Sequence, residues 1–196
     1  MMIKLASAAL GAGALVAVVA LLCGCVPLVI VGGVAATAAV ATDRRTTGTQ
    51  VDDELIEDKV SFNVRERFKG DFHVNVTSYS GIVLLTGEVP AEAARADVAE
   101  LVRSQPKVRA VQNELTIGPV TDLGSRSNDT LITSKVKARF VEANRFQINH
   151  VKVVTERGVV YLMGIVRRSE ADAASDIAST TSGVQRVVKV FEYIAG

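Results

Sequence analysis

"HVNVTSYSGIVLLTGEV", residues 73–89, and "HVKVVTERGVVYLMGIV", residues 150–166, are two versions of one segment, identical at eight of seventeen positions. Each reads as two apolar, β-branched runs joined by a tight turn at a glycine, Gly81 or Gly158, which is the pattern of a β-hairpin. The likeness extends outward. "LIEDKV" from Leu55 matches "LITSKV" from Leu131, and "VRAVQNELTI" from Val108 matches "VQRVVKVFEY" from Val184 more weakly. A unit of roughly 65 residues is therefore repeated in tandem, and one fold assignment has to serve both copies.

Periodicity supplies the elements. In the second copy, Asn128 or Asp129 is a candidate N-cap. Ile132, Val136, Phe140 and Ala143 then recur on one helical face, which predicts a core-facing helix. "VKVV" from Val151 and "VVYLMGIV" from Val159 are strands around the Arg157-Gly158 turn. "SEADAASDIASTT" from Ser169 is a second helix ended by Gly183, and "VQRVVKVFEYI" is a third strand. The order α-β-β-α-β predicts an α+β fold with two helices covering one face of a three-stranded mixed sheet. One such unit is marginal in size, so the two are expected to pack together. The first domain is placed at residues 51–118 and the second at 129–196. A linker at 119–128 falls in the Gly-, Pro- and Ser-rich "GPVTDLGSRSN".

The N-terminus is different in character. Lys4 precedes an uncharged apolar run from Leu5 to Leu22, and the chain's two cysteines, Cys23 and Cys25, follow in "LLCGCVPL". Such a run is a signal peptide or the start of an uncleaved membrane anchor. Leu22-Cys23-Gly24-Cys25 resembles the lipobox of bacterial lipoproteins. That resemblance implies that residues 1–24 are removed and that Cys25 becomes the acylated (palmitate-bearing) N-terminus. A disulfide across one glycine would be severely strained, and two thiols without a neighbouring histidine make no metal site. Residues 25–50 are expected to be an apolar then polar tether. If flexible, residues 26–50 would span about 25–30 Å r.m.s..

The repeated units resemble BON domains, the αββαβ modules of bacterial periplasmic and membrane-attached proteins. The matching features are Gly81 and Gly158, Gly87 and Gly164, and the patterns "GIVLLTGEV" and "GVVYLMGIV". A lipobox followed by two such domains is similar to BON-domain lipoproteins of Gram-negative bacteria. The resemblance implies a non-enzymatic protein, lipid-anchored in the outer membrane and facing the periplasm. It also implies binding of anionic, phosphatidylglycerol-like phospholipid through the first helix of the second domain, with roles in envelope integrity, stress and division-site maintenance. Val26 after Cys25, where aspartate would favour inner-membrane retention, agrees with the outer membrane. A protein-binding adaptor for envelope-assembly or amidase-regulating partners is the competing expectation.

Little in the chain suggests catalysis. His73 and His150 occupy equivalent positions in the repeats, which points to a repeated structural role. No phosphate loop, nucleophile-base grouping or clustered metal-ligand motif is found, so no catalytic residue, metal or cofactor is expected. Asp52, Asp53, Glu54, Glu57 and Asp58 read as a solvated acidic run favouring a helix N-terminus. The chain has no Trp and a net charge of +1, which gives nucleic-acid binding no footing. The charge is uneven: residues 51–118 hold 8 basic and 12 acidic side chains, and residues 119–196 hold 11 and 8.

The first helix of the second copy carries the candidate site. Leu131, Ala138 and Val141 fall off the predicted core stripe and are flanked by Lys135, Lys137 and Arg145. Apolar side chains bordered by cations suit a helix lying on an anionic membrane. Packing of Leu131 and Val141 on the first domain or the linker is the alternative. The first copy has an acidic helix with Arg65 in place of Val141, although its Phe62 is also an exposed candidate. Among similar lipoproteins the position of Leu131 is usually a larger aromatic residue, and leucine lacks the interfacial preference of Trp.

Overall fold

A computed structural model describes residues 43–68 and 72–195. The expected signal peptide and lipobox, Cys25 and the apolar segment through Thr42 lie outside these residues. The first repeat comprises α1 (Thr47–Arg67), β1 (His73–Tyr79), β2 (Ile82–Val89), α2 (Glu92–Arg103), β3 (Ala110–Asn113) and β4 (Thr116–Ile117). The second comprises α3 (Leu123–Ala143), a 3-10 turn (Ile148–His150), β5 (Lys152–Glu156), β6 (Val159–Val166), α4 (Arg168–Ser179) and β7 (Arg186–Tyr193). The α-β-β-α-β order expected from the repeat holds in both copies. Each central strand, β2 or β6, runs antiparallel to the preceding hairpin strand and parallel to the last one. β3 and β4 keep one register on β2, with Asn113 opposite Leu85 and Thr116 opposite Glu88. They are one strand interrupted at Glu114-Leu115.

Successive residues of a strand point to opposite faces, and both faces of the central strands are apolar. Val83, Leu85 and Val89 of β2 pack against Ile56, Val60 and Val64 of α1 and Val98 and Val102 of α2. Val160, Leu162 and Val166 of β6 pack against Ile132, Val136 and Phe140 of α3 and the alanines of α4. The alternate residues Tyr79, Leu84, Tyr161 and Met163 form a third core that joins the two sheets. The sheets therefore meet face to face, with one helix pair outside each. Burial on both faces explains why the strands read as nearly continuous apolar runs.

Each hairpin turn has two residues in the left-handed region, Ser80-Gly81 (φ 54° and 74°) and Arg157-Gly158 (φ 51° and 72°), as type I′ turns require. A helix carboxylate holds each turn. Asp53 accepts from the backbone N–H of Ser80 (2.7 Å) and Gly81 (2.8 Å). Asp129 accepts from Arg157 (2.8 Å) and Gly158 (2.8 Å). Two expectations are thereby corrected. Asp53 is buried inside the domain rather than solvated, because it satisfies turn donors. Asp129 is no N-cap but lies in the second turn of its helix, facing inward.

The helices start earlier than the apolar periodicity indicates. Thr46 caps α1 by accepting from Thr49 N (3.1 Å), and Asp122 caps α3 by accepting from Ser125 N (2.9 Å). Residues 47–50 are thus helix rather than tether, and most of the expected linker at 119–128 is the first turns of α3. Ala143, expected in the core, is exposed at the last helical position. The residues just before the caps are also fixed. Arg44 donates to Ile165 O (2.7 Å) and to Glu170 (2.6 Å), while Arg45 bonds Asp53 (3.0 Å) and lies over the Tyr79 ring. Thr121 donates its N–H and hydroxyl to Glu88. Glu88 and Ile165 are matched positions of the repeat, so each pre-helix segment reaches the central strand of the other copy. The two repeats are thus related by an approximate two-fold.

Candidate membrane-contact helix

α3 presents opposite faces to opposite surroundings. At about 100° per residue, Asp129, Ile132, Val136 and Phe140 fall together and are buried. Leu123, Leu131, Ala138 and Val141 cluster on the reverse side. Leu131 is 59% exposed and Val141 64%, so neither packs on the first domain or the linker. Leu123, 76% exposed, extends the stripe by two turns. Sequence reasoning missed it because the turn-rich composition of 118–128 hid the helix start. Its signal was Asp122, a good N-cap. From Leu123 to Val141 the stripe is about 27 Å long.

Polar residues within the stripe are already satisfied. Ser127 donates to Leu123 O (2.9 Å), Thr130 to Arg126 O (3.1 Å) and Ser134 to Thr130 O (2.9 Å). Their hydroxyl protons turn into the helix backbone, a local bond available to Ser and Thr. Covering this face therefore strands fewer donors than its composition implies.

Lys135 and Lys137 flank the stripe on either side, and all of Lys135, Lys137 and Arg145 are exposed. None makes an ion pair or hydrogen bond with the described residues. Glu142 is the one exposed acid on α3, since Asp129 is buried. Arg145 stands just beyond the helix, past Asn144, which ends it with φ 44°. Arg139 is not part of this surface: it donates to Ile177 O (2.9 Å) and Thr181 (2.9 Å), tying α3 to α4.

α1 is the internal comparison. Val51, Leu55 and Phe62 are exposed on its outer face. Asp58 stands among them, at the position matched by Ser134 in α3. A carboxylate cannot be covered without desolvation, whereas a serine bonded to its own backbone can. The same scaffold thus presents an interrupted acidic face in one repeat and a continuous, cation-flanked face in the other. Among the described residues no helix is long and apolar enough to cross a membrane.

Residues 52–119 and 128–195 match the BON domain family. The chain is 44% identical over 173 residues to the outer membrane lipoprotein DolP of Haemophilus influenzae, covering 87% of this chain and 89% of that protein. It is 35% identical over 154 residues to a 21 kDa hemolysin of Actinobacillus pleuropneumoniae, covering 78% and 79%. It is 28% identical over 117 residues to the osmotically inducible protein Y of Escherichia coli, covering 58% of each.

Proposed function

The chain belongs to the BON domain family, with two copies of the domain, and from that premise we propose that it is an outer-membrane lipoprotein that binds anionic phospholipid through α3. Cys25 carries the acyl chains, and the protein faces the periplasm, where it supports envelope integrity and maintenance of the division site. The observation that carries the lipid reading is the exposed Leu123-Leu131-Ala138-Val141 stripe, whose hydroxyls are internally bonded and whose flanking Lys135, Lys137 and Arg145 have no partner among the described residues. Apolar insertion and attraction of cations to anionic headgroups act together at such a face.

The tether sets the reach. Because residues 43–50 are held in the fold, only 26–42 remain between Cys25 and the domains. If residues 26–42 were flexible, their r.m.s. span would be about 20–25 Å. That would keep α3 at high effective concentration over the leaflet holding the anchor, so two weak attachments would reinforce one another.

The test is sedimentation of the soluble fragment 43–196, folded by circular dichroism, with liposomes of defined headgroup. Binding to vesicles containing phosphatidylglycerol and not to purely zwitterionic ones is expected. No sedimentation with either would favour the adaptor reading. In that reading the exposed Val51, Leu55 and Phe62 of α1, beside acidic Glu54 and Asp58, meet an envelope-assembly or amidase-regulating partner.

A further inference from the structure

The approximate two-fold between the repeats leaves two equivalent ends of the sheet–sheet interface, and their chemistry differs. At one end the cations Arg44 and Arg45 enter beside Glu170, Tyr79 and Ile165. At the other end, Thr121 stands where the repeat has Arg45, Glu88 where it has Ile165, and Glu156 where it has Tyr79. The second end thus gains two carboxylates and loses the arginines.

Those carboxylates converge on His73. Its Nδ1 lies 3.1 Å from Glu88 Oε2 and 3.9 Å from Glu156 Oε1, and one ligand atom from each of the three residues lies within 4.8 Å of the others. Glu88 is fully buried and Glu156 is 5% exposed. Glu156 Oε2 accepts from Asn75 Nδ2 at 2.8 Å, whereas its Oε1 has no hydrogen bond among the described residues and points at the imidazole. Arg126 lies nearby, but its guanidinium donates to Thr121 O (2.9 Å). An open cleft of about 220 Å³, lined by His73, Asn75, Asp129, Thr133, Thr155 and Glu156, gives solvent access.

We propose that His73, Glu88 and Glu156 form a binding site for a divalent first-row transition metal of the zinc class, bridging the two repeats. One imidazole nitrogen and two carboxylate oxygens, with water from the cleft in the fourth position, are a tetrahedral donor set for such an ion. Ligand atoms about 2.0–2.2 Å from zinc stand roughly 3.3 Å from each other, so the 3.1 Å His73–Glu88 spacing is already close to that and the 3.9 Å His73–Glu156 spacing has to close. Calcium and magnesium prefer six or more oxygens and fit poorly. The outer hydrogen bonds are in place: Thr121 and Asn75 donate to the two carboxylates and fix their orientation. Nδ1, the ring nitrogen facing both carboxylates, is the ligand atom, which leaves any ring proton on Nε2.

The experiment uses the full chain in detergent, freed of metal by chelator and titrated with Zn²⁺, with Mg²⁺ as the control ion. One equivalent of Zn²⁺ per chain is expected by calorimetry. At a hundredfold excess over Kd the melting temperature should rise by about 5–10 °C. Glu156→Gln and His73→Asn should abolish that binding while retaining the circular dichroism of the wild type. The chain has only two histidines, so imidazole ¹⁵N resonances of the wild type report the ligand directly even if a variant misfolds. Zn²⁺ should shift those of His73 and leave those of His150 in place. Absence of stoichiometric Zn²⁺ binding, unchanged binding in either folded variant, or a shift at His150 alone would overturn the site.

Discussion

At the residue scale, small groups hold this fold at points where backbone crowds backbone. Gly87 and Gly164 stand at matched places in the two hairpins. A Cβ on Gly87 would clash with the His73 carbonyl oxygen, and one on Gly164 with that of His150. The close approach at these glycines is backbone to backbone, which cannot yield as a flexible side chain would. Gly164→Val should destabilise the protein by at least about 3 kcal/mol, and a variant melting at the wild-type temperature would remove that account. Glu170 makes the second prediction. Burial raises its pKa, but the Arg44 guanidinium, the Arg167 N–H and His150 outweigh burial and hold it at about 2, against 4.5 ordinarily. The unfolded chain therefore binds this proton first. Glu170 contributes stability above pH 4.5 that is lost as pH falls toward 2. Denaturant midpoints measured down that window should fall less steeply in Glu170→Gln than in the wild type. Equal slopes would show that the carboxylate is not held by these donors.

At the scale of elements, α3 and α1 are versions of one helix with different outer faces. Both bury one face by the same apolar spacing and both clamp a hairpin turn with an aspartate in the second helical turn. Their outer faces are free to differ because packing does not constrain them. Leu131→Glu places a carboxylate in the middle of the α3 stripe, at a position already exposed to water. The fold should survive, and binding to anionic vesicles should drop at least tenfold, the cost of pushing one charge against the acyl region. Lys135→Glu with Lys137→Glu should weaken binding through charge alone, and added salt should mimic it by screening. Ile132→Glu is the control, because it buries a charge in the core and should unfold the domain. A folded Leu131→Glu variant that sediments with liposomes like the wild type would sink the lipid reading.

At the scale of the whole molecule, the two repeats act as one body because their sheets share a core and their pre-helix segments are exchanged. Arg44 and Arg45 also pin the first of the described residues to Ile165, Glu170 and Asp53. Cys25→Ala is predicted to prevent acylation and to release the protein from the outer-membrane fraction. Unchanged fractionation with an intact N-terminus by mass spectrometry would instead establish an uncleaved membrane anchor.

The order of elements, the paired hairpins, the core face of α3 and the cations beside Leu131 were legible in the chain. All of these rest on local periodicity or on comparison of one copy with the other, and both are properties of neighbouring residues. The helix starts were obscured because capping turns share the composition of linkers, so Leu123 was hidden. The roles of Asp53 and Asp129 as turn clamps, the exposure of Leu131 and Val141, and the pinning of Arg44 depended on segments far apart in sequence. The meeting of His73, Glu88 and Glu156 did so most of all. Two of those residues come from the first repeat and one from the second, and no spacing rule links them. Only the face-to-face packing of the sheets, driven by burial of Tyr79, Leu84, Tyr161 and Met163, brings them to one point.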